Sequence, residues 1–335
     1  MPLVPLFDET EPRASSHNVR SPGGYETWRL RAYDAKQDLL LLASLWNGYL
    51  FHPTYHKRYG AYLRHPTRTV PPLPSEYACQ ELILYQNGRL IFSSITPLPP
   101  VQSFPVIQRS GLRLSLGSCH LDLEPHLPPT PLYFETIGPR HRWCLANPLL
   151  KVDGALQLPS LPKLIINAIA CHDHRYGTEP IITSSPSWYD GCALFPGCAL
   201  LFEGTPTTSW LMESTLRASQ FIDHPVDTTS YNRSLFGIRY PQSFSLADQG
   251  TLTNPRILHS SPIRLHVSYD AKSPTESGRA FVEIFHPHRL RWRLLNFFLP
   301  SPRGNDPPLT WSPIPPADKS SPSAPECARA PSSSP

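Results

Sequence analysis

Proline occupies 42 of the 335 positions, roughly two and a half times its ordinary share, and it recurs along the whole chain rather than in one block. Its ring fixes φ and removes a backbone donor, so it breaks helices and is confined in sheets to edges, bulges and turns. Helical bundles and coiled coils are excluded on this ground alone. What remains is short strands punctuated by turns. Hydrophobic residues make up 40% of the chain and charged residues 17%, so a core can form without staples.

The segments between the prolines read as strands. Tyr25 to Tyr33 alternates, with Tyr25, Thr27 and Arg29 on one face and Glu26, Trp28 and Leu30 on the other. Leu39 to Trp46 is apolar throughout. Tyr77 to Tyr85 and Arg89 to Ile95 flank Asn87-Gly88, a hairpin signal of the type I′ kind. Leu112 to Leu116, Cys119 to Leu123, Leu164 to His174, Ala193 to Glu203, Ile263 to Tyr269, Arg279 to Phe285 and Arg291 to Leu299 follow in the same way. Only Thr208 to Phe221 could be taken for a helix, and it lacks good caps. The pattern predicts an all-β fold, sandwich or barrel, and the length suits two β-domains.

Residues 1–22 read as a loose arm, 23–210 as a first domain carrying the chemistry, 211–300 as a second domain, and 301–335 as a disordered tail. The stretch 300–335 holds eleven Pro and eight Ser, too little apolar surface to offset its ordering entropy. The start lacks the charged and apolar segments of a signal peptide. The apolar run from Leu39 to Phe51 is thirteen residues, too short to span a bilayer as a helix. The seven cysteines form no CxxC pair and read as free buried thiols of a cytoplasmic protein. A net charge of +4 without a basic run gives nucleic-acid binding no support. Neither a Gly-rich phosphate loop nor a Gly-x-Ser-x-Gly elbow occurs, so neither a nucleotide cofactor nor serine hydrolysis is expected.

Two segments carry chemistry. Gly138 to Trp143 holds His141 and Trp143, and Cys171 to Gly177 closes a long strand. Strand alternation puts His141 with Trp143, Cys171 with Asp173, and His172 with His174 on the opposite face. Ile165, Asn167 and Ile169 continue the Asp173 face, so a carboxyl group ends a largely apolar stripe. Burial there would raise its pKa and let it act as an acid; the plainer reading is a turn cap at the strand end. His172 and His174, with His141, have a metal-ligand spacing. With fourteen histidines in the chain such a pair arises easily by chance, and no metal is expected.

At these residues the sequence resembles the carotenoid 1,2-hydratase (hydroxyneurosporene synthase) family of lipocalin-like proteins. Gly24 to Trp28 resembles its aromatic opening strand. Leu39 to Phe51 with His52-Pro53-Thr54-Tyr55 resembles its apolar strand and following turn, and Tyr77 to Tyr85 the strand after. His141-Arg142-Trp143 resembles the His-x-Trp segment, Cys171 to Pro180 the Tyr-x-Asp block, Trp188 the start of a Trp-rich strand, and Ser277 to Glu283 the closing strand.

The resemblance implies two lipocalin-like (calycin-type) β-barrel or sandwich domains around an apolar cavity. It implies cofactor-independent addition of water to the terminal double bond of an acyclic carotenoid. Asp173 would be the proton donor and His141 the group that orients water. Trp143, Trp188, Tyr176 and Cys171 would line the substrate, with His172 and His174 behind them. The family's Tyr is replaced by Cys171, its Asn by His174, and the Trp and Arg after Trp188 by Tyr189-Asp190-Gly191. A binding protein for an apolar isoprenoid, or a relative catalysing a cyclisation, stays open beside the hydratase reading. A carotenoid substrate implies transient contact with a membrane surface. Leu294 to Leu299, after Arg289, Arg291 and Arg293, is the candidate for it, or else a final buried strand.

Overall fold

The computed structural model describes residues 19–291, apart from 103, 106, 108–110, 117, 126–132, 136–139, 159–160, 181–186, 206–208, 216–218 and 223–225, together with 309–314. It consists almost wholly of antiparallel strands. In the first sheet these are β1 (Tyr25–Asp34), β2 (Leu39–Asn47), β3 (Cys79–Gln86), β4 (Arg89–Pro97), β5 (Leu112–Leu116), β6 (Cys119–Pro125), β7 (Tyr133–Glu135), β8 (His141–Leu156) and β9 (Leu164–Gly177). In the second they are β10 (Trp188–Leu194), β11 (Cys198–Gly204), β12 (Ser209–Thr215), β13 (Ser219–Ile222), β14 (Asp227–Thr228), β17 (Phe244–Ser245), β18 (Thr251–Ser260), β19 (Arg264–Lys272) and β20 (Ser277–Phe285). A small ribbon pairs β15 (Tyr231–Arg233) with β16 (Arg239–Pro241). The chain then returns to the first sheet as β21 (Thr310–Pro313), paired with β5.

The strand orders are β21-β5-β6-β8-β9-β1-β2-β3-β4, with β7 on β8, and β13-β12-β11-β10-β20-β19-β18-β17-β14. Two curled sheets result, as the lipocalin-like reading expects. Apart from β21, the strands of the first sheet end at Gly177 and those of the second begin at Trp188. Ala193 to Glu203 is not one strand but a hairpin, with Phe195 N–H donating to Cys198 O. Within the stretch that could be taken for a helix, Ser209–Thr215 and Ser219–Ile222 are strands. Thr310–Pro313, read as tail, is a strand; the rest of 315–335 and Leu294 to Leu299 lie outside the described residues.

The one α-helix among the described residues, α1 (Pro53–Arg64), escaped the sequence reading. It starts with Pro at a position where the missing N–H costs nothing. Its cap is unusual: His52 Nδ1 accepts from Thr54 N–H at 3.2 Å. Tyr55 ties it to the start of β1 by donating to Gly24 O at 2.6 Å. The Asn87-Gly88 hairpin forms as expected, with φ of 52° and 71°, the two left-handed residues a type I′ turn demands.

Strand alternation creates three apolar layers. Trp28, Leu30, Leu41, Leu84 and Leu150 fill the interior of the first sheet; Leu200, Phe202, Val267 and Val282 fill that of the second. Each such side chain contributes about 1.5–3 kcal/mol on burial. The opposite faces of the same strands meet in a seam between the sheets. An aliphatic patch there includes Leu40, Leu42, Leu194 and Leu201, and an aromatic patch includes Trp46, Tyr49, Phe51, Trp188 and Phe285.

Candidate functional site

Buried charge occupies the seam. From the first sheet come Arg29 and Arg31 on β1, Glu81 on β3, and Asp173 and Arg175 on β9; from the second come Asp190, Glu203, Arg264, His266 and Glu283. All ten are buried. The alternation of β1 explains the first pair: Glu26, Trp28 and Leu30 turn inward, so Arg29 and Arg31 must face the other sheet. Arg29 grips Asp173 through Nε at 2.9 Å and Nη2 at 2.6 Å and reaches Asp190 at 2.9 Å. Arg31 donates to Asp190 at 2.7 Å and to Asp173 at 2.9 Å. Arg264 pairs with Glu81 at 2.6 Å and with Glu283, and His266 stands 2.9 Å from Glu283.

Asp173 does not occupy the apolar pocket expected of it. It is buried, but two guanidiniums and the Trp143 indole N–H, at 2.8 Å, hold it. Burial alone would raise its pKa; Arg29, Arg31 and Arg175 outweigh that and hold the carboxyl well below the usual range. A carboxylate so held carries no proton to donate. The stripe that suggested an apolar pocket is also differently placed. Ile165 is 61% exposed, because the first half of β9 lies beyond the cover of the second sheet.

Glu203 is the carboxyl that meets the expectation. It is buried, and neither of its oxygens has a hydrogen bond among the described residues. Arg175 Nη1 lies 2.8 Å from Oε2, near enough for an ion pair but not aligned as a hydrogen bond. Burial pushes Glu203 up to about 7, with Arg175 pulling it down and Asp190 pushing it further up. Charge balance agrees. The network has four guanidiniums, Arg29, Arg31, Arg175 and Arg264, against five carboxyls, Glu81, Asp173, Asp190, Glu203 and Glu283. One proton on Glu203 makes the two signs equal.

Arg175 also packs against two tryptophans. Its guanidinium lies 4.6 Å from the Trp143 ring and 4.8 Å from that of Trp188. Both indoles are thus cation–π partners of an arginine. Around this point several buried polar atoms lack hydrogen-bond partners: Thr27 Oγ1, the Nε1 atoms of Trp46 and Trp188, and the Arg175 nitrogens. Thr27 is the register partner of Trp46 on one side and Arg175 on the other, so the orphans share one face. Buried polar groups without partners are rare in folded proteins and call for a cause, such as strain, a catalytic role or a bound water or ion.

His141 stands at the edge of this region. Tyr25 OH lies 3.1 Å from its Nδ1, and Glu179 Oε1 is 3.8 Å from its Nε2. Burial lowers its pKa to about 4, so the ring is neutral. Gly177 leaves room for the pair: a Cβ there would come within 2.5 Å of His141 Nδ1 and 2.6 Å of Tyr25.

Of the residues singled out from sequence, His141, Trp143, Cys171, Asp173 and Trp188 share the seam. The Cys171 thiol meets that of Cys192 across it, and both are free. His172, His174 and Tyr176 lie on the opposite face of β9, inside the first sheet, so they do not back the site. His141 is on the seam face, so the three histidines share no ligand set. Sequence reasoning missed Arg29, Arg31, Arg175, Asp190, Glu203 and Glu283. The available signal was a lone charge within an apolar strand, as at Glu203 in Ala199-Leu200-Leu201-Phe202-Glu203. No helix among the described residues is long and apolar enough to cross a membrane.

No family profile matches the chain. It is 24% identical over 346 residues to a hydroxyneurosporene dehydrogenase of Chlorobaculum tepidum, covering 85% of this chain and 88% of that protein. The fold matches the crystal structure of a Nitrosomonas europaea protein assigned as an AttH, at a TM-score of 0.57 and 13% identity, over 85% of this chain and 99% of that one. Kievitone hydratase from Nectria haematococca aligns at a TM-score of 0.41 and 11% identity, over 82% of this chain and 93% of its own, too slight a likeness to argue from.

Proposed function

We propose that this protein adds water to a carbon–carbon double bond of an apolar isoprenoid, without a cofactor, and that Glu203 is the proton donor. The single observation that carries this reading is a buried carboxyl, poised near neutrality, in a network with one more acid than base. The substrate class is supported by the sequence resemblance to carotenoid 1,2-hydratases and by the 24% identity to a protein named for hydroxyneurosporene. An acyclic carotene is therefore the substrate to test first.

In this reading the hydrocarbon lies against the aromatic patch of Trp46, Tyr49, Phe51 and Phe285. The Glu203 proton passes to one alkene carbon and leaves a tertiary carbocation on the other. Glu203 becomes a carboxylate in the same step, so the network gains one uncompensated negative charge beside the new positive one, and the net charge of the site is unchanged. Water adds to the cation, and its surplus proton returns to Glu203. Only alkene and water are consumed. Thr27 Oγ1 and the neutral His141–Tyr25 pair are the groups available to hold the water. Asp173 is a positioning residue: it fixes Arg29, Arg31 and Trp143, and through Trp143 the Arg175 partner of Glu203.

The test is incubation of the purified protein with neurosporene or lycopene, followed by mass analysis. Gain of one water, lost in Glu203→Gln, is the expected result. Loss of two hydrogens would replace hydration by dehydrogenation, retention of unchanged substrate would make the protein a carrier, and full hydration by Glu203→Gln would remove Glu203 from the chemistry.

A further inference from the structure

The histidines that the seam leaves unused point into the first sheet. His174 is accounted for: its Nε2 lies 3.0 Å from Glu26 Oε1, and Phe104 stacks on its ring at 5.1 Å. His172 is not. It is buried, and both its ring nitrogens lack a hydrogen-bond partner among the described residues, as does the indole N–H of Trp28. The two rings are 5.1 Å apart. Three orphaned polar atoms thus sit on two neighbouring rings, beside the Glu26–His174 pair. Leu30 is the register partner of His172, and Leu45 that of Trp28.

The inventory of these atoms selects the ligand. Burial lowers the His172 pKa to about 3, so the ring is neutral, with one N–H donor and one bare acceptor nitrogen. Trp28 adds a second donor. The two ring nitrogens point away from each other, so one ligand oxygen meets only one of them; the bare nitrogen and the Trp28 N–H, one acceptor and one donor, are the complement of a hydroxyl group, which donates and accepts. A carboxylate would leave the bare nitrogen unmet and bring a second negative charge near Glu26. An ammonium would leave the Trp28 N–H unmet. The backbone is irregular at the same point. The register between β8 and β9 slips on both sides of Asn147, the residue opposite His172, and such bulges are over-represented beside binding and active sites.

We propose that His172 and Trp28 form a second binding site, inside the first sheet, that takes the hydroxyl end of an apolar alcohol. It lies on the opposite face of β1 and β9 from the seam and does not depend on hydration there.

Calorimetric titration of the full-length protein with farnesol tests it. One site is expected to fill, and farnesyl methyl ether, which accepts but cannot donate, should bind about fivefold more weakly. Trp28→Phe and His172→Phe should each weaken farnesol by a similar factor. Glu203→Gln should leave farnesol affinity unchanged, which separates this site from the proposed hydration. Should either of these two variants fail to fold, nitrogen NMR of the unaltered, 15N-histidine-labelled protein decides: farnesol should shift one neutral histidine ring and the ether should not. Absence of farnesol binding, equal binding by Trp28→Phe, loss of binding in Glu203→Gln, no histidine shift, or a crystal structure with farnesol present but only water between the two rings would each overturn the proposal.

Discussion

Asp173→Asn and Glu203→Gln are similar edits on paper, each replacing one buried carboxyl oxygen by an amide, yet the seam sets them opposite fates. Asp173 takes hydrogen bonds of 2.9 and 2.6 Å from Arg29, 2.9 Å from Arg31 and 2.8 Å from Trp143. An asparagine there keeps one acceptor and turns an NH2 group toward a donor that already needs a partner. Two buried guanidiniums lose their shared carboxylate. Breaking a buried pair on one side costs about 3–5 kcal/mol, and that is the loss expected for Asp173→Asn. Glu203→Gln replaces a neutral acid by a neutral amide of the same shape, in a network already balanced at four against four. Its cost should stay within about 1 kcal/mol, while hydration disappears. Urea unfolding monitored by fluorescence measures both, as a shift in midpoint at constant m-value. If Asp173→Asn unfolds within about 1 kcal/mol of the unaltered protein, or if Glu203→Gln is the more damaging of the two, the assignment of charge and proton in the seam is wrong.

The remaining predictions are smaller in scope. A Glu203 carboxyl at about 7 in the fold against 4.5 in the unfolded chain binds its proton more tightly when folded. It contributes about 3 kcal/mol of stability that is full below pH 4.5 and is lost as pH rises to 7; urea midpoints across this range should show the decline, and Glu203→Gln should flatten it. Asp173, with a depressed pKa, works in the other direction, its contribution being lost as pH falls below the usual carboxylate range. Trp143→Phe keeps a ring over Arg175 but removes the N–H on Asp173, a hydrogen bond to a charged group, at a cost of about 1.5–3 kcal/mol; a melting curve at neutral pH suffices to read it. Gly88→Ala forces a side chain into φ +71° and should cost about 1 kcal/mol, read by the same melting experiment.

The all-β architecture was legible because its signals are local. Asn87-Gly88 needs only its own φ preferences, and the parity of β1 and β9 follows from counting. Parity likewise put His141 with Trp143, and Cys171 with Asp173, on single strand faces, and the seam joins those faces. What lay above that face was not legible. Arg29 and Arg31 alternate with apolar residues, which in a single sheet reads as a solvent face. Only the second sheet, more than a hundred residues away in sequence, turns that face into an interior and gives each charge its partner. The same long-range fact reverses Asp173: the side chain is buried, but Arg29 and Arg31, two of the three arginines that hold it ionised, come from another strand. The strand β18 was missed for a different reason. It is largely exposed and contains Pro255, which sits in the register slip between Thr253 and Arg256, a bulge that frees it from the ladder. The helix α1 was missed because its cap is a histidine, not one of the usual short polar residues.

The return of the chain as β21 has a bearing on how the molecule is made. Thr310–Pro313 pairs with β5, and the entire second sheet is synthesised between the two. Until that stretch leaves the ribosome, β5 presents a bare row of amides and carbonyls, the kind of margin on which a neighbouring chain can build. The strand that finally covers it is four residues long and ends in proline, a poor template for further growth. Among the described strands, then, the last to be synthesised is the one that protects the first sheet from its own neighbours.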